Sequence, residues 1–143
     1  MTTVKEVMED QVAKVPQTAN VLDAARKMAE EGVSAVVVVD KSEKLVGLVT
    51  DGRLATGVLA TGKDPQRTSI QDVMISAPIT ATEDVEVCEV MEWMAGNSTW
   101  QVPVIDEERR IVGVMSASDV AKEHAINCRD CSATILEITS TRS

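Results

Sequence analysis

A single unit is written twice in this chain, and that repeat limits the folds open to it more than any other feature. Val7-Met8 returns as Val73-Met74, and the offset of 66 residues (8 to 74), carried on without a gap, aligns residues 4–54 with 70–120. The register holds 10 identities over 51 positions, among them Val21 with Val87, Met28 with Met94, Asp40 with Asp106 and Gly47 with Gly113. Apolar positions coincide between the identities as well, as scattered chance matches would not.

Both copies share one rhythm. Asn20 stands where a helix N-cap is expected, and Val21, Leu22, Ala24, Ala25, Met28 and Ala29 then trace an apolar helical face that Gly32 should end. In the second copy Val87, Val90, Met91, Met94 and Ala95 keep that period, with Gly96-Asn97 as the expected stop. A β-branched run over 36–39, a polar turn over 40–44 and a second strand over 45–50 read as a hairpin. Its counterparts are 102–105, 106–110 and 111–116. Helices are expected after each hairpin, over about 52–61 and 118–127, and short extended pieces at 12–15 and 78–81. Each copy thus reads strand, helix, strand, strand, helix. The fold class is α/β (α+β), built from two β-α-β-β-α repeats.

One such unit of about 60 residues is too small to bury its hairpin comfortably. Two units packed sheet against sheet, with pseudo-two-fold symmetry and equivalent clefts between them, would solve that. The expected organisation is a first repeat at 1–66, a second at 67–127 and a tail at 128–143, with a short polar linker over 62–68.

Composition narrows the partners. Of 143 residues two are Trp and none is Tyr or Phe, so the core rests on Val, Ile, Leu, Ala and Met, and stacking platforms for single-stranded nucleic acid are nearly absent. The net charge of −9 makes the average surface repel duplex DNA and anionic membranes. The N-terminus lacks the basic-then-apolar layout of a secretory signal, and the longest apolar run, 35–39, is far short of a membrane span. Three cysteines, an odd count, do not suggest a disulfide framework. The expected setting is cytoplasmic, with no nucleic acid and no membrane as partner.

The most specific residues are Gly47-Leu48-Val49-Thr50 and Gly113-Val114-Met115-Ser116-Ala117-Ser118-Asp119, each following a Val-rich strand and an acidic turn. With the opening Val-Met pairs and the segments Gly32-Val33-Ser34-Ala35 and Ser98-Thr99-Trp100-Gln101, the chain resembles a tandem pair of cystathionine beta-synthase (CBS) domains, the Bateman module, over about 4–125. The resemblance implies a regulatory sensor that binds an adenosine-containing ligand (AMP, ADP, ATP or S-adenosylmethionine) between the repeats. It also implies a motif Gly-x-x-Thr/Ser-x-x-Asp, matched by Ser116 and Asp119. An ionised carboxylate there can accept from both ribose hydroxyls, while the Ser116 and Ser118 hydroxyls at a helix start offer donors to phosphate. Met8, Ala13, Val33, Ser34 and Ala35, with Val114, map onto the walls around adenine. Ser116 and Asp119 also read as plain helix capping, and the two roles are compatible.

The other cleft departs from the motif. Thr50 is present, but Arg53 stands at the Asp position, and Arg accepts no hydrogen bond from ribose. Asp51 is two places early. Met74 corresponds to Met8, and Trp100 to Ser34. Either Trp100 packs into a collapsed site, or Arg53 meets phosphate and Trp100 stacks on adenine. In the tail, Cys128 and Cys131 form a Cys-x-x-Cys pair suited to zinc or redox exchange, with His124 as a third ligand. An exposed tail without such a role is the other reading, and Cys88 reads as core.

Three functions follow: a regulatory nucleotide sensor, a ligand-free dimerisation scaffold, or a metal or redox responder through Cys128 and Cys131. An enzyme is not expected, because the one His lies in the tail and no nucleophile–base pair stands out. A homodimer is expected through the helices after the hairpins, carrying Leu54, Val58 and Leu59, then Val120, Ala121 and Ala125. The effector, another chain, is not named by the sequence.

Overall fold

The computed structural model describes residues 2–122 and divides the chain into two compact units. The units are displaced from the sequence repeats. One unit joins 2–11 to the second hairpin and its helices, while residues 12–78 form the other together with 108–111. Each repeat's opening Val-Met segment therefore belongs with the other repeat's hairpin.

The unit spanning 12–78 contains β1 (Lys14–Pro16), α2 (Val21–Glu31), β2 (Ala35–Val39), β3 (Leu45–Thr50) and β4 (Ile75–Ser76). A helix α1 (Val4–Val7) precedes them and belongs to the other unit. The sheet order is β1-β2-β3-β4, with β1 parallel to β2 and the remaining pairs antiparallel. Asn20 caps α2 as expected: its side chain accepts from Asp23 N at 2.9 Å, and the Asp23 carboxylate accepts from Asn20 N at 3.2 Å. Gly32 ends the helix at φ 64°, where an L side chain would be strained. Met28 and Ala24 then meet Val36, Val38, Val49 and Ile70 in the core. The hairpin turn is held by Asp40, whose Oδ1 accepts from Ser42 N and Lys44 N. Glu43 and its repeat counterpart Arg109 both adopt positive φ, at 63° and 65°, so the two turns share one backbone path.

After β3 the chain forms α3 (Asp51–Leu54) and then a π-helical turn over Ala55–Leu59, where the sequence suggested one continuous helix. Ala60 N donates to Ala55 O at 2.9 Å and Lys63 N to Val58 O at 3.1 Å, five residues back in each case. The hydroxyls of Thr56 and Thr61 also donate to the carbonyls of Gly52 and Gly57, competing with the regular ladder.

The second unit holds α1, α4 (Val87–Asn97), β5 (Gln101–Ile105), β6 (Ile111–Ser116) and α5 (Ala117–Lys122). Its core packs Val4, Val87, Val90, Val102 and Val104 around Met91, Met94 and Met115, all fully buried, so methionine takes the volume that aromatic residues often fill. Helix α4 ends at Asn97, within the expected Gly96-Asn97 stop, and Ser98, φ 49°, takes the left-handed C-cap position with its N–H on Met94 O.

The extended piece expected over 78–81 shrinks to one parallel bridge, Ala81 to Val104. Its cause is a proline. In the first hairpin Val37 N donates to Ala13 O at 2.9 Å, and the residue matching Val37 is Pro103, which has no N–H. Only the bonds from Ala81 N to Pro103 O and from Ile105 N to Ala81 O remain on that edge. Among the described residues no helix is long and apolar enough to cross a membrane.

Candidate functional site

Ser116 closes β6 and Asp119 lies in the first turn of α5. The two are locked reciprocally. Ser116 N donates to Asp119 Oδ2 at 3.1 Å, and Asp119 N donates to Ser116 Oγ at 3.1 Å. Ser118 is exposed, and its Oγ lies 2.9 Å from Ser116 Oγ. The arrangement is a capping box, so the capping role read from the sequence is present. It also fixes the rotamer of a half-buried carboxylate whose oxygens keep lone pairs for further donors. Two hydroxyls and one oriented carboxylate thus converge where a strand passes into a helix.

Met8 is brought to the same strand. Glu9 and Val114 exchange two backbone hydrogen bonds, Glu9 N to Val114 O at 2.9 Å and Val114 N to Glu9 O at 3.0 Å. This bridge lays Met8 over Gly113, where a Cβ would stand 2.5 Å from the Met8 sulfur. The glycine of the motif is therefore a packing requirement, and the sequence carried its signal in the paired recurrence of Val-Met and Val-Gly. Met8, Val114, Ser116, Ser118 and Asp119 gather in one unit. The other residues read as adenine walls belong to the other unit: Ala13 is buried before β1, Val33 is exposed after α2, and Ser34 and Ala35 lead into β2.

Thr50 and Arg53 copy the capping geometry without the carboxylate. Arg53 N donates to Thr50 Oγ1 at 3.2 Å, and Arg53 Nε donates to the Val73 carbonyl at 3.0 Å, which ties the guanidinium to its own unit. Asp51 is spent locally, accepting from Gly52 N at 2.8 Å. Met74 packs against Gly47 as Met8 does against Gly113. Trp100 is half-buried against the methionine-rich core of the unit that does not contain Arg53, and its carbonyl accepts from Ala117 N.

His124, Cys128 and Cys131 lie outside the described residues. Among the described residues no group of three or more His, Cys, Asp or Glu side chains is placed to hold a metal ion. Cys88, read from the sequence as core, is half-buried near the start of α4 and is disulfide-bonded. The helical partner surface is also smaller than its sequence suggested. Val58 is 3% exposed against Val21 and Val73, and Val120 is 1% exposed in its own core, whereas Leu59 is 76% exposed. Val58 and Leu59 both lie in the π-helical turn.

Two mixed α/β units, each presenting a hydroxyl-capped helix after a hairpin, define a tandem-repeat module. The CBS domain family profile matches residues 4–59 and 70–125, and the chain belongs to that family, with two copies of the domain. YlbB of Bacillus subtilis is 34% identical over 134 residues, covering 93% of this chain and 89% of its own length. A Methanopyrus kandleri protein is 29% identical over 118 residues, covering 82% of this chain, which spans only 60% of that relative. Among solved structures, the CBS domain pair of protein MJ0100, in complex with 5′-methylthioadenosine and S-adenosyl-L-methionine, superposes with a TM-score of 0.79 at 29% identity, covering 85% of this chain and 94% of that one.

Proposed function

We propose that this chain is a regulatory module that binds an adenosine-containing ligand, AMP, ADP, ATP or S-adenosylmethionine, and passes the resulting change in conformation to a partner chain. The observation that carries this reading is the reciprocal Ser116–Asp119 geometry, which holds a half-buried carboxylate in one orientation beside two hydroxyls. Asp119 accepts from the ribose hydroxyls, and Ser116 and Ser118 donate to phosphate. Met8 and Val114, in the same unit, line the adenine, as the family resemblance implies. The complex of the MJ0100 domain pair with two adenosine derivatives supports the ligand class. The Thr50–Arg53 half lacks a ribose acceptor, and its guanidinium is already engaged with Val73. One ligand per chain is the resulting stoichiometry.

Signalling by such a module is a population shift, in which the ligand favours one of two arrangements by its difference in affinity for them. Catalysis forms no part of this reading. Thermal-shift measurements with AMP, ADP, ATP and S-adenosylmethionine test it. A ligand at 100 times its Kd stabilises by about 2.7 kcal/mol, a shift of several degrees for a domain of this size. No shift with any of the four at millimolar concentration contradicts it.

The module is further proposed to act as a homodimer, with the exposed Leu59 at the interface. Light scattering at about 100 μM, an upper range for weak association, should give twice the chain mass, and Leu59→Asp should return it to one. A wild-type monomer mass would contradict the dimer.

A further inference from the structure

Two methionines stand apart from the others. Met28, Met91, Met94 and Met115 are buried, whereas Met8 and Met74 are half-buried. These two hold the same place in their repeats, and each lays its thioether over a strand glycine of its own unit. A Cβ on Gly113 would stand 2.5 Å from the Met8 sulfur and 3.0 Å from Met8 Cγ. A Cβ on Gly47 would likewise meet the Met74 sulfur, with Met74 Cγ at 3.0 Å. We propose that Met8 and Met74 are a matched pair of oxidation sites. A peroxide converts each thioether to a sulfoxide and so loosens the Val-Met segment from its strand. This proposal stands apart from the nucleotide reading.

The chemistry needs only the peroxide. A lone pair of the sulfur attacks one peroxide oxygen and the O–O bond breaks. The departing hydroxide takes up the proton of the transferred oxygen and leaves as water. Sulfur is oxidised by two electrons and the peroxide is reduced by two. Two thiols of a methionine sulfoxide reductase reverse the step, giving the thioether, water and a disulfide.

The seat over the glycine decides the consequence. Sulfur and Cγ already fill the space that a side chain on the glycine would need, so an added oxygen does not fit between them and the strand. A sulfoxide also needs hydrogen-bond donors, and the nearby amides are engaged. Glu9 N donates to Val114 O, Val114 N to Glu9 O, and Met74 N to Ile70 O. The oxygen therefore turns to water and draws the sulfur off its glycine. The partial exposure that admits peroxide is the same exposure that lets the sulfoxide be solvated.

Peptide mapping after peroxide treatment tests the pair. Native protein, its free thiols first alkylated with N-ethylmaleimide, is exposed to hydrogen peroxide, and sulfoxide is followed at each methionine. Cleavage after Glu83 and Glu92 puts Met74, Met91 and Met94 on separate peptides. Met8 and Met74 should oxidise about tenfold or more faster than Met28, Met91, Met94 and Met115. The urea midpoint should fall as they do, and amide exchange at Glu9 and Val114 should speed up about tenfold or more. Sulfoxide reductases with dithiothreitol should restore the midpoint to that of unoxidised protein given the same reductant. The double variant Met8→Leu, Met74→Leu should keep its own midpoint through the same exposure. Oxidation of Met8 and Met74 no faster than of the buried four would overturn the proposal. So would an unchanged wild-type midpoint once both are sulfoxides, or an equal loss in the double variant. The wild-type rates and midpoint decide the matter even where the double variant is itself destabilised.

Discussion

Asp119→Ala should weaken binding of the adenosine ligand by roughly 10- to 150-fold, the equivalent of about 1.5–3 kcal/mol for charge-assisted hydrogen bonds. Fold stability should fall by less. The change removes the acceptor of the Ser116 N–H and a first-turn charge on α5, and the latter contributes about 0.3–1 kcal/mol. The contrast is with Arg53→Ala, where a side chain bound to the Val73 carbonyl is lost and ligand affinity should stay within twofold. Isothermal calorimetry on both variants, with urea denaturation beside it, separates a ligand contact from a capping contact. Equal affinities for Asp119→Ala and wild type would leave capping as the only role of that residue. A large loss for Arg53→Ala would relocate the phosphate to the Thr50–Arg53 half.

Gly113→Ala should destabilise the fold by about 1–3 kcal/mol, the range for overpacking a filled core. The new Cβ would stand 2.5 Å from the Met8 sulfur and 3.0 Å from the Glu9 carbonyl oxygen. The methionine can swing away, but the carbonyl is held by the two bonds between Glu9 and Val114. Met8→Ala in the same protein should therefore recover part of the loss and not all of it, with a coupling of about 0.5–3 kcal/mol. Gly47→Ala should behave similarly, since Ile75 O lies 3.2 Å from its Cβ position and Met74 covers it. Urea denaturation of wild type, Met8→Ala, Gly113→Ala, their double variant and Gly47→Ala measures these effects. An unperturbed midpoint for Gly113→Ala would mean that the strand yields and that Met8 is not lodged against it.

Much of this architecture was legible because local chemistry dictated it. Asn20 and Gly32 bracket α2 as their side-chain and backbone preferences require, and both hairpins fall where β-branched runs flank a polar turn. Other features depend on partners distant in sequence. The assignment of residues 2–11 to the second hairpin follows from the Glu9–Val114 bridge, which no local pattern announces. Pro103 carried a readable warning, since a residue without an N–H cannot extend a parallel edge, yet its cost appears only when Val37 is seen bonding Ala13. The stop at Gly96-Asn97 was legible too, although the left-handed position falls to Ser98 rather than to the glycine. For the site, the Ser116–Asp119 pair was legible from spacing and family motif. The disulfide at Cys88 was not, nor was the engagement of Arg53 with Val73, which joins residues 20 apart in sequence that only the fold brings together.

The central claim, that Asp119 reads the ribose of an adenosine ligand, is tested most directly by calorimetry of wild-type protein with AMP and 2′-deoxy-AMP, repeated on Asp119→Ala. Wild type should bind the ribose form about tenfold or more tightly than the deoxy form, since a charge-assisted bond of about 1.5 kcal/mol or more is removed. The variant should show little preference, because both changes delete the same contact. Equal affinity of wild type for the two ligands, or an undiminished preference in Asp119→Ala, would contradict the account.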